Sequence, residues 1–442
     1  MDRSSLYNII HLSLSFFLIF LSYNVAQTFQ TSSDHAQDGA FAVGIIYLVF
    51  CLANLALSAY LVRILSVRLT LILSSLTYVL FIAANIKYYR LLLFVSAFLL
   101  GLGAALLWTA HGAYVAISIT KYERSNNLYA SSSQGLLNGI FFGIYQFQST
   151  VGNLLASYLF HLNYPQLTIF TILTVIAAIG SIGLIFIRPV KLPENTSTYE
   201  IFNYSMFFRI ELDYFLERNS ILGSLAMILD IPFLVLIPSL CYLGLVQGLI
   251  YGVIPQLIKN KSRKFLLFAF YGLINSSSSM IFGKLSDYLK QRLFIFILGI
   301  LSHMIIFVLL LTIWQLPLNE DRIVIFLVMI VCLSIGEAAF TTQLYAVLTL
   351  FYGETRPTEA FSCMKIFQSG CTALGFVAQV YCSVRFQLIF LIVALLITLL
   401  TLIYEHYRIK SLDTGKDIKS KRNEKTDQIE QKVPLNTLAN SI

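Results

Sequence analysis

The sequence predicts an all-α membrane protein, a bundle of about twelve spanning helices in two groups of six. Three observations predict it. The chain of 442 residues is 57% hydrophobic and only 12% charged, with a mean hydropathy of +0.77, which is far too apolar for a soluble domain. The apolar residues fall into runs of roughly 20, the length an α-helix needs to cross a bilayer. The basic residues, finally, collect on alternate connections between those runs, as the positive-inside rule requires.

In order, the runs cover residues 8–29, 41–62, 69–86, 91–119, 135–160, 167–187, 233–257, 265–285, 293–314, 323–350, 360–383 and 388–407. The first carries Tyr23, Asn24 and Gln27 and reads as a retained helix rather than a cleaved signal peptide. With both termini cytoplasmic, 22 of the 30 Lys and Arg fall on the inner side, Lys365 counted among them, and eight fall outside. The basic cluster at 259–264 is the exception to that bias. The longest connection, 188–232, separates an N-terminal half, 1–187, from a C-terminal half, 233–408. Within it, 201–216 mixes apolar and charged residues and reads either as an amphipathic helix on the membrane surface or as a loop ordered by its neighbours. Asp230, beside Pro232, is placed to cap the seventh helix. After Tyr407 the composition turns polar, and 409–442 reads as a disordered tail.

The same composition excludes several function classes. The net charge of +8 is spread through short loops and the tail, with no nucleic-acid module. Cys51, Cys241, Cys332, Cys363, Cys371 and Cys382 lie in apolar runs without ligand spacing, so neither a disulfide nor a metal is expected. No phosphate-binding glycine loop, nucleophile elbow or metal-ligand helix is present, so no cofactor, no catalytic residue and no enzyme are expected.

Glu337, inside the tenth run, is the first functional candidate. A carboxylate at bilayer depth costs on the order of 3 kcal/mol, so it turns inward and is neutralised or paired. Glu337, Thr341 and Leu344 share one helical face, with Gly336 and Gln343 beside it. An earlier stretch, Gly103-Ala-Ala-Leu-Leu-Trp-Thr-Ala-His-Gly-Ala-Tyr114, echoes this one, with Trp108 matching Phe340 and His111 matching Gln343, which suggests an internal duplication.

Six plus six helices with a long central connection resemble the major facilitator superfamily. Gly283-Lys-Leu-Ser-Asp287-Tyr-Leu-Lys-Gln-Arg292 resembles its loop motif Gly-x-Leu-Ala-Asp-Arg-x-Gly-Arg-Lys, departing at Tyr288, Lys290 and Gln291. Gly283 lets two helices approach, Asp287 can face a helix N-terminus, and Arg292 supplies a countercharge. The first-half equivalent, Leu61-Val-Arg-Ile-Leu-Ser-Val-Arg68, lacks the acid. A narrower resemblance is to the uncoordinated-93-like family. It rests on residues 15–31, Gly44-Ile-Ile-Tyr-Leu-Val-Phe50, Gly103-Ala-Ala-Leu-Leu-Trp-Thr-Ala-His-Gly112, the stretch from Leu236 to Gln247, Gly336-Glu-Ala-Ala-Phe-Thr-Thr-Gln343 and Phe367-Gln-Ser369. Three positions depart from the family pattern: His111 for Gln, Val246 for Glu, and Glu337 for Asp.

The resemblance implies a central site lined by the first, fourth, seventh and tenth helices. Polar residues collect there as Asn24 and Gln27, Trp108 and His111, Gln247 and Tyr251, Glu337 and Gln343. One reading is a cavity in which Glu337 and His111 form a proton-sensitive pair. The other, favoured for Asn24, Gln27, Gln247 and Gln343, is a set of interhelical hydrogen bonds of about 0.6 kcal/mol each. His11 and His303 read as packing residues. Two function classes follow. The resemblance implies an accessory protein that regulates a membrane channel or escorts receptors, the reading that the incomplete first-half gate motif and Val246 favour; the alternative, suggested by the buried acid, is a secondary transporter of a small polar solute, proton-linked through Glu337. The bilayer is a partner in either case.

Overall fold

A computed structural model describes residues 4–30, 36–129, 132–191, 227–258, 261–313 and 323–430. Each predicted run is a helix, because a backbone in hydrocarbon has no water to bond and must satisfy itself. The first half comprises α1 (Ser4–Gln30), α2 (Ala36–Ala56), α3 (Ser58–Leu65), α4 (Val67–Ala83), α5 (Arg90–Ser125), α6 (Gln134–His161) and α7 (Gln166–Ile185). The second comprises α8 (Ile231–Gly248), α9 (Ile254–Leu257), α10 (Lys261–Leu289), α11 (Arg292–Ile313), α12 (Ile323–Tyr352), α13 (Pro357–Tyr381) and α14 (Val384–Glu430).

Two spans are broken. The second bends by 68° between α2 and α3, and Ser66 then turns the chain into α4 with a left-handed φ of 70°. The seventh passes through a π-helical turn, Leu249–Val253, before α9. Pro255 explains it: the proline nitrogen carries no hydrogen for the Tyr251 carbonyl, so the helix widens by one residue. By length and composition eight of the described helices can cross a membrane, or nine with α2 and α3 joined. Of the other spans, α4 is short, while α6 and α13 are the polar ones and carry residues that matter below.

Two long seams join the halves. Along α6 and α10, Gly135, Gly139 and Gly143 face Gly283, Ser279 and Met280, and a Cβ on Gly139 would sit 2.9 Å from the Gly283 Cα. Only hydrogen at both positions allows that approach. The seam continues through Ser276 Oγ donating to the Gly143 carbonyl at 2.6 Å and Thr150 Oγ1 donating to that of Ala269 at 3.1 Å. Stacked rings of Phe160 and Phe265, 5.6 Å apart, extend it to the far end. The second seam joins α2 and α3 to α13 through Ser362 Oγ on the Asn54 carbonyl at 2.9 Å and an Arg63–Glu359 ion pair at 2.5 Å.

Elsewhere the structure departs from the sequence expectations. Asp230 occupies the N-cap position of α8, but its side chain makes no capping bond and accepts instead from Tyr352 Oη at 3.1 Å. The basic cluster belongs largely to a helix rather than a loop, since α10 opens at Lys261. α14 runs on to Glu430, past the point where composition predicts disorder; a polar segment fused to an apolar helix inherits its nucleus and propagates at little cost. The candidate amphipathic stretch 201–216 lies outside the described residues.

Candidate solute site

A cavity of 110 Å³ lies between the halves, lined from the first half by α1, α2, α4, α5 and α6, and from the second by α8, its π-turn, α12 and α13. Six of the eight residues singled out in the sequence line it: Asn24, Gln27, Trp108, Gln247, Tyr251 and Glu337. The lining residues toward the far end, Asn24, Gln27, Tyr47 and Tyr251, are half-buried, whereas His111 and Tyr345 at the other end are buried. Exposure therefore falls from the far end of the bundle toward the end that holds Ser4.

Glu337 is 1% exposed and fully engaged with neighbouring helices. Gln247 Nε2 donates to its Oε1 at 2.9 Å, Asn275 Nδ2 donates to Oε2 at 2.9 Å, and Tyr271 Oη also donates to Oε2. A buried carboxylate needs that many donors to offset its lost hydration.

The cavity also holds a cation that the sequence reading placed elsewhere. Lys365, expected among the inner-side charges, is 5% exposed, on the cavity face of α13, about 12 Å along the helix from Pro357 at 1.5 Å per residue. Its Nζ lies 4.5 Å from the centre of the Trp108 ring and 5.4 Å from that of Tyr345, a geometry in which ring faces attract a desolvated ammonium. It donates to Gln368 Oε1 at 2.6 Å; Gln368 Nε2 donates to Gln247 Oε1 at 3.0 Å; and Gln247 donates to Glu337. Two amides thus connect the buried cation to the buried anion, each accepting on the Lys365 side and donating on the Glu337 side, so their dipoles align between the charges. Glycines make the junction possible. A Cβ on Gly248 would lie 2.7 Å from the Gly375 Cα, and one on Gly244 would lie 2.9 Å from the Cys371 Cβ, so α8 and α13 meet closely enough for Gln247 to reach Gln368.

His111 and Gln343 do not belong to this constellation. Glu337 has its donors from α8 and α10, and the His111 ring nitrogens have no hydrogen-bond partner. That ring is packed among Phe16, Phe141 and Tyr345, with centroids 5.2, 4.1 and 5.6 Å away. The cavity face of α5 is Ala104 and Trp108, and one turn further on the aromatic side chains close over it. Gln343 sits two residues from Thr341, nearly opposite the lining face made by Glu337, Thr341 and Tyr345. It donates to Thr342 Oγ1 at 3.2 Å.

The motif residues Gly283, Asp287 and Arg292 all meet α6. Asp287 accepts from the backbone N–H groups of Gly135 at 2.9 Å and Leu136 at 2.6 Å, supplying acceptors to the otherwise orphaned first turn of α6 and opposing its dipole. Arg292 donates to Gln134 Oε1 at 3.1 Å, and Gly283 forms the close contact with Gly139. The first half has no matching acid, and the structure shows what replaces it: Arg63, in the equivalent position, reaches Glu359 on α13. Arg124 and Glu354, 2.7 Å apart, join α5 to the turn after α12 at the same end. Among the described residues no group of three or more His, Cys, Asp or Glu side chains could hold a metal.

Residues 30–403 match the family model described as "Ion channel regulatory protein UNC-93". The chain belongs to the UNC-93 family. UNC93-like protein 3 of Arabidopsis thaliana is 26% identical to this UNC-93 chain over 411 residues, covering 86% of it and 82% of the relative. Protein unc-93 homolog A of Danio rerio is 23% identical over 434 residues, covering 90% and 91%. Among solved structures, the major facilitator superfamily proton:xylose symporter XylE superposes with a TM-score of 0.66 at 12% identity, over 91% of this chain and 96% of that one. That likeness establishes the fold: this UNC-93 protein is a multi-pass integral membrane protein of major facilitator architecture, from a family of non-enzymatic membrane proteins.

Proposed function

We propose that this UNC-93 family member is a secondary transporter that binds a small polar solute in its central cavity and moves it in company with a proton carried by Glu337. One observation carries the reading: two ionisable side chains, Glu337 and Lys365, are held at bilayer depth on a cavity between the halves, an arrangement too costly for packing alone. The groups that face Glu337 are Tyr271 and Asn275 from α10, Gln247 and Tyr251 from the seventh span, Tyr47 from α2, Tyr145 from α6 and Lys365 through Gln368. The ion pairs of Arg63 with Glu359 and of Arg124 with Glu354 form the closed gate at one end, beside the glycine seam that Asp287 ties to α6, and the charge bias supports placing that end, with both termini, in the cytoplasm. A tag inserted at 259–264 tests the orientation: it is reached from outside the cell in this scheme, and access from the cytosol alone would invert it. Transport is tested in proteoliposomes carrying an internal pH indicator. Glu337→Gln is expected to abolish solute-driven proton movement while the protein still assembles, and wild-type movement in that variant would remove Glu337 from the mechanism.

A second reading, regulation of a membrane channel or receptor, is supported by the description that the matched family carries. It predicts a near-stoichiometric membrane partner after crosslinking in the native membrane and purification in mild detergent. Recovery of the protein alone counts against it.

A further inference from the structure

Taking the cavity as a solute site, its unused hydrogen-bonding groups specify the solute's charge. We propose that the site takes a small organic anion, its carboxylate held by Lys365 Nζ with the hydroxyls of Tyr345 and Thr341, and its body set against the aromatic lining of the first half.

The two ends of the cavity differ in what they leave unsatisfied. At the Glu337 end the carboxylate oxygens already accept from Gln247, Asn275 and Tyr271, so a cationic solute would have to displace donors to bind there. At the Lys365 end the opposite holds. Of the three donors of an ammonium, Gln368 takes one, and the others lie beside ring faces. Tyr345 Oη and Thr341 Oγ1, both on the cavity lining, are buried without any hydrogen-bond partner. Tyr345 is 1% exposed and Thr341 8%; a hydroxyl so deeply buried and unpaired is destabilising. An anionic oxygen within reach of the ammonium and these hydroxyls relieves that cost and adds charge-assisted bonds. Phe20, Tyr23, Tyr78 and Tyr145 form the adjoining wall and suit an apolar body. The charge count agrees with a proton-linked cycle, because the loaded cavity is neutral when Glu337 carries a proton and Lys365 pairs with the anion.

The test is equilibrium binding to the purified full chain in detergent, which requires no transport and so is independent of the flux assay. Butyrate and benzoate are titrated calorimetrically beside their uncharged counterparts, butyramide and benzamide. A Trp314→Phe background leaves Trp108, the other of the chain's two tryptophans, to report by its emission whether the site beside Lys365 is occupied. The expected result is binding of at least one acid, about tenfold or more tighter than its amide, with a change in Trp108 emission. Lys365→Met should remove the binding. Tyr345→Phe, a milder change that keeps the ring packing, should weaken it about tenfold. Amides that bind as tightly as the acids, acids that bind Lys365→Met unchanged, acid binding without a Trp108 response, or failure of both acids to bind would each overturn the proposal. Failure here together with proton-linked flux of a neutral solute would leave the transport reading standing; anion binding without flux would do the reverse.

Discussion

Along the α6–α10 seam, backbone meets backbone through Gly135, Gly139 and Gly283, with hydroxyls of Ser276 and Thr150 bonding to carbonyls opposite. The seam of α2 and α3 with α13 has one such bond, Ser362 Oγ on the Asn54 carbonyl, but it is also joined by long side chains, the charged pair Arg63 and Glu359, with Lys365 about two turns further on. The first kind of contact has no rotamers to exchange: it holds or it breaks. The second can release by side-chain rotation, with hydrated alternatives for the separated charges. In the proposed transport cycle the backbone seam would act as the hinge and the side-chain seam as the gate, and substitutions in either seam test that division.

The largest expected effect is on the backbone seam. Gly139→Leu drives a side chain into the Gly283 Cα, 2.9 Å from where its Cβ would begin, and should cost more than about 3 kcal/mol, seen as loss of a monodisperse protein on size-exclusion chromatography. Gly44→Leu is the control, because a Cβ there meets nothing within 4 Å. Next comes Glu359→Gln. With side-chain exposures of 24% for Arg63 and 7% for Glu359, removing the carboxylate should cost about 2 kcal/mol, less than for a fully buried pair, read from the thermal unfolding midpoint. Asp287→Ala removes both acceptors from the first turn of α6 and should cost about 1 kcal/mol by the same measurement. The smallest is Ser276→Ala, one interhelical bond of about 0.6 kcal/mol. A larger loss for Ser276→Ala than for Glu359→Gln would break the distinction between the seams.

The spans and their grouping into halves were legible because hydropathy and helix length are local properties of the chain. The contact of Asp287, in the last turn of α10, with a helix N-terminus was legible too, since an acid four residues after a glycine at a helix end is well placed to meet one. Lys365 was not, because a lysine near a helix end is ordinarily a topology signal. Its amphipathic stripe with Gln368, Ser369 and Thr372, all on the cavity, was the clue that could have placed it inside. The Arg63–Glu359 pair and the Gln247–Gln368 contact join residues far apart in sequence and follow only from the packing. His111 shows the converse: its position on α5 promised a partner for Glu337, yet the cavity ends one turn short of it, under Tyr345.

In the proposed cycle the halves rock about the glycine seam to expose the cavity at each end in turn. Spin-label distances in a cysteine-free background test it most directly, with one pair at Ile64 and Thr355 across the side-chain seam and another at Leu136 and Tyr288 across the glycine seam. On introducing Glu359→Gln, the first distance should lengthen and broaden while the second stays fixed. An unchanged first distance, or equal lengthening of both, would contradict the account.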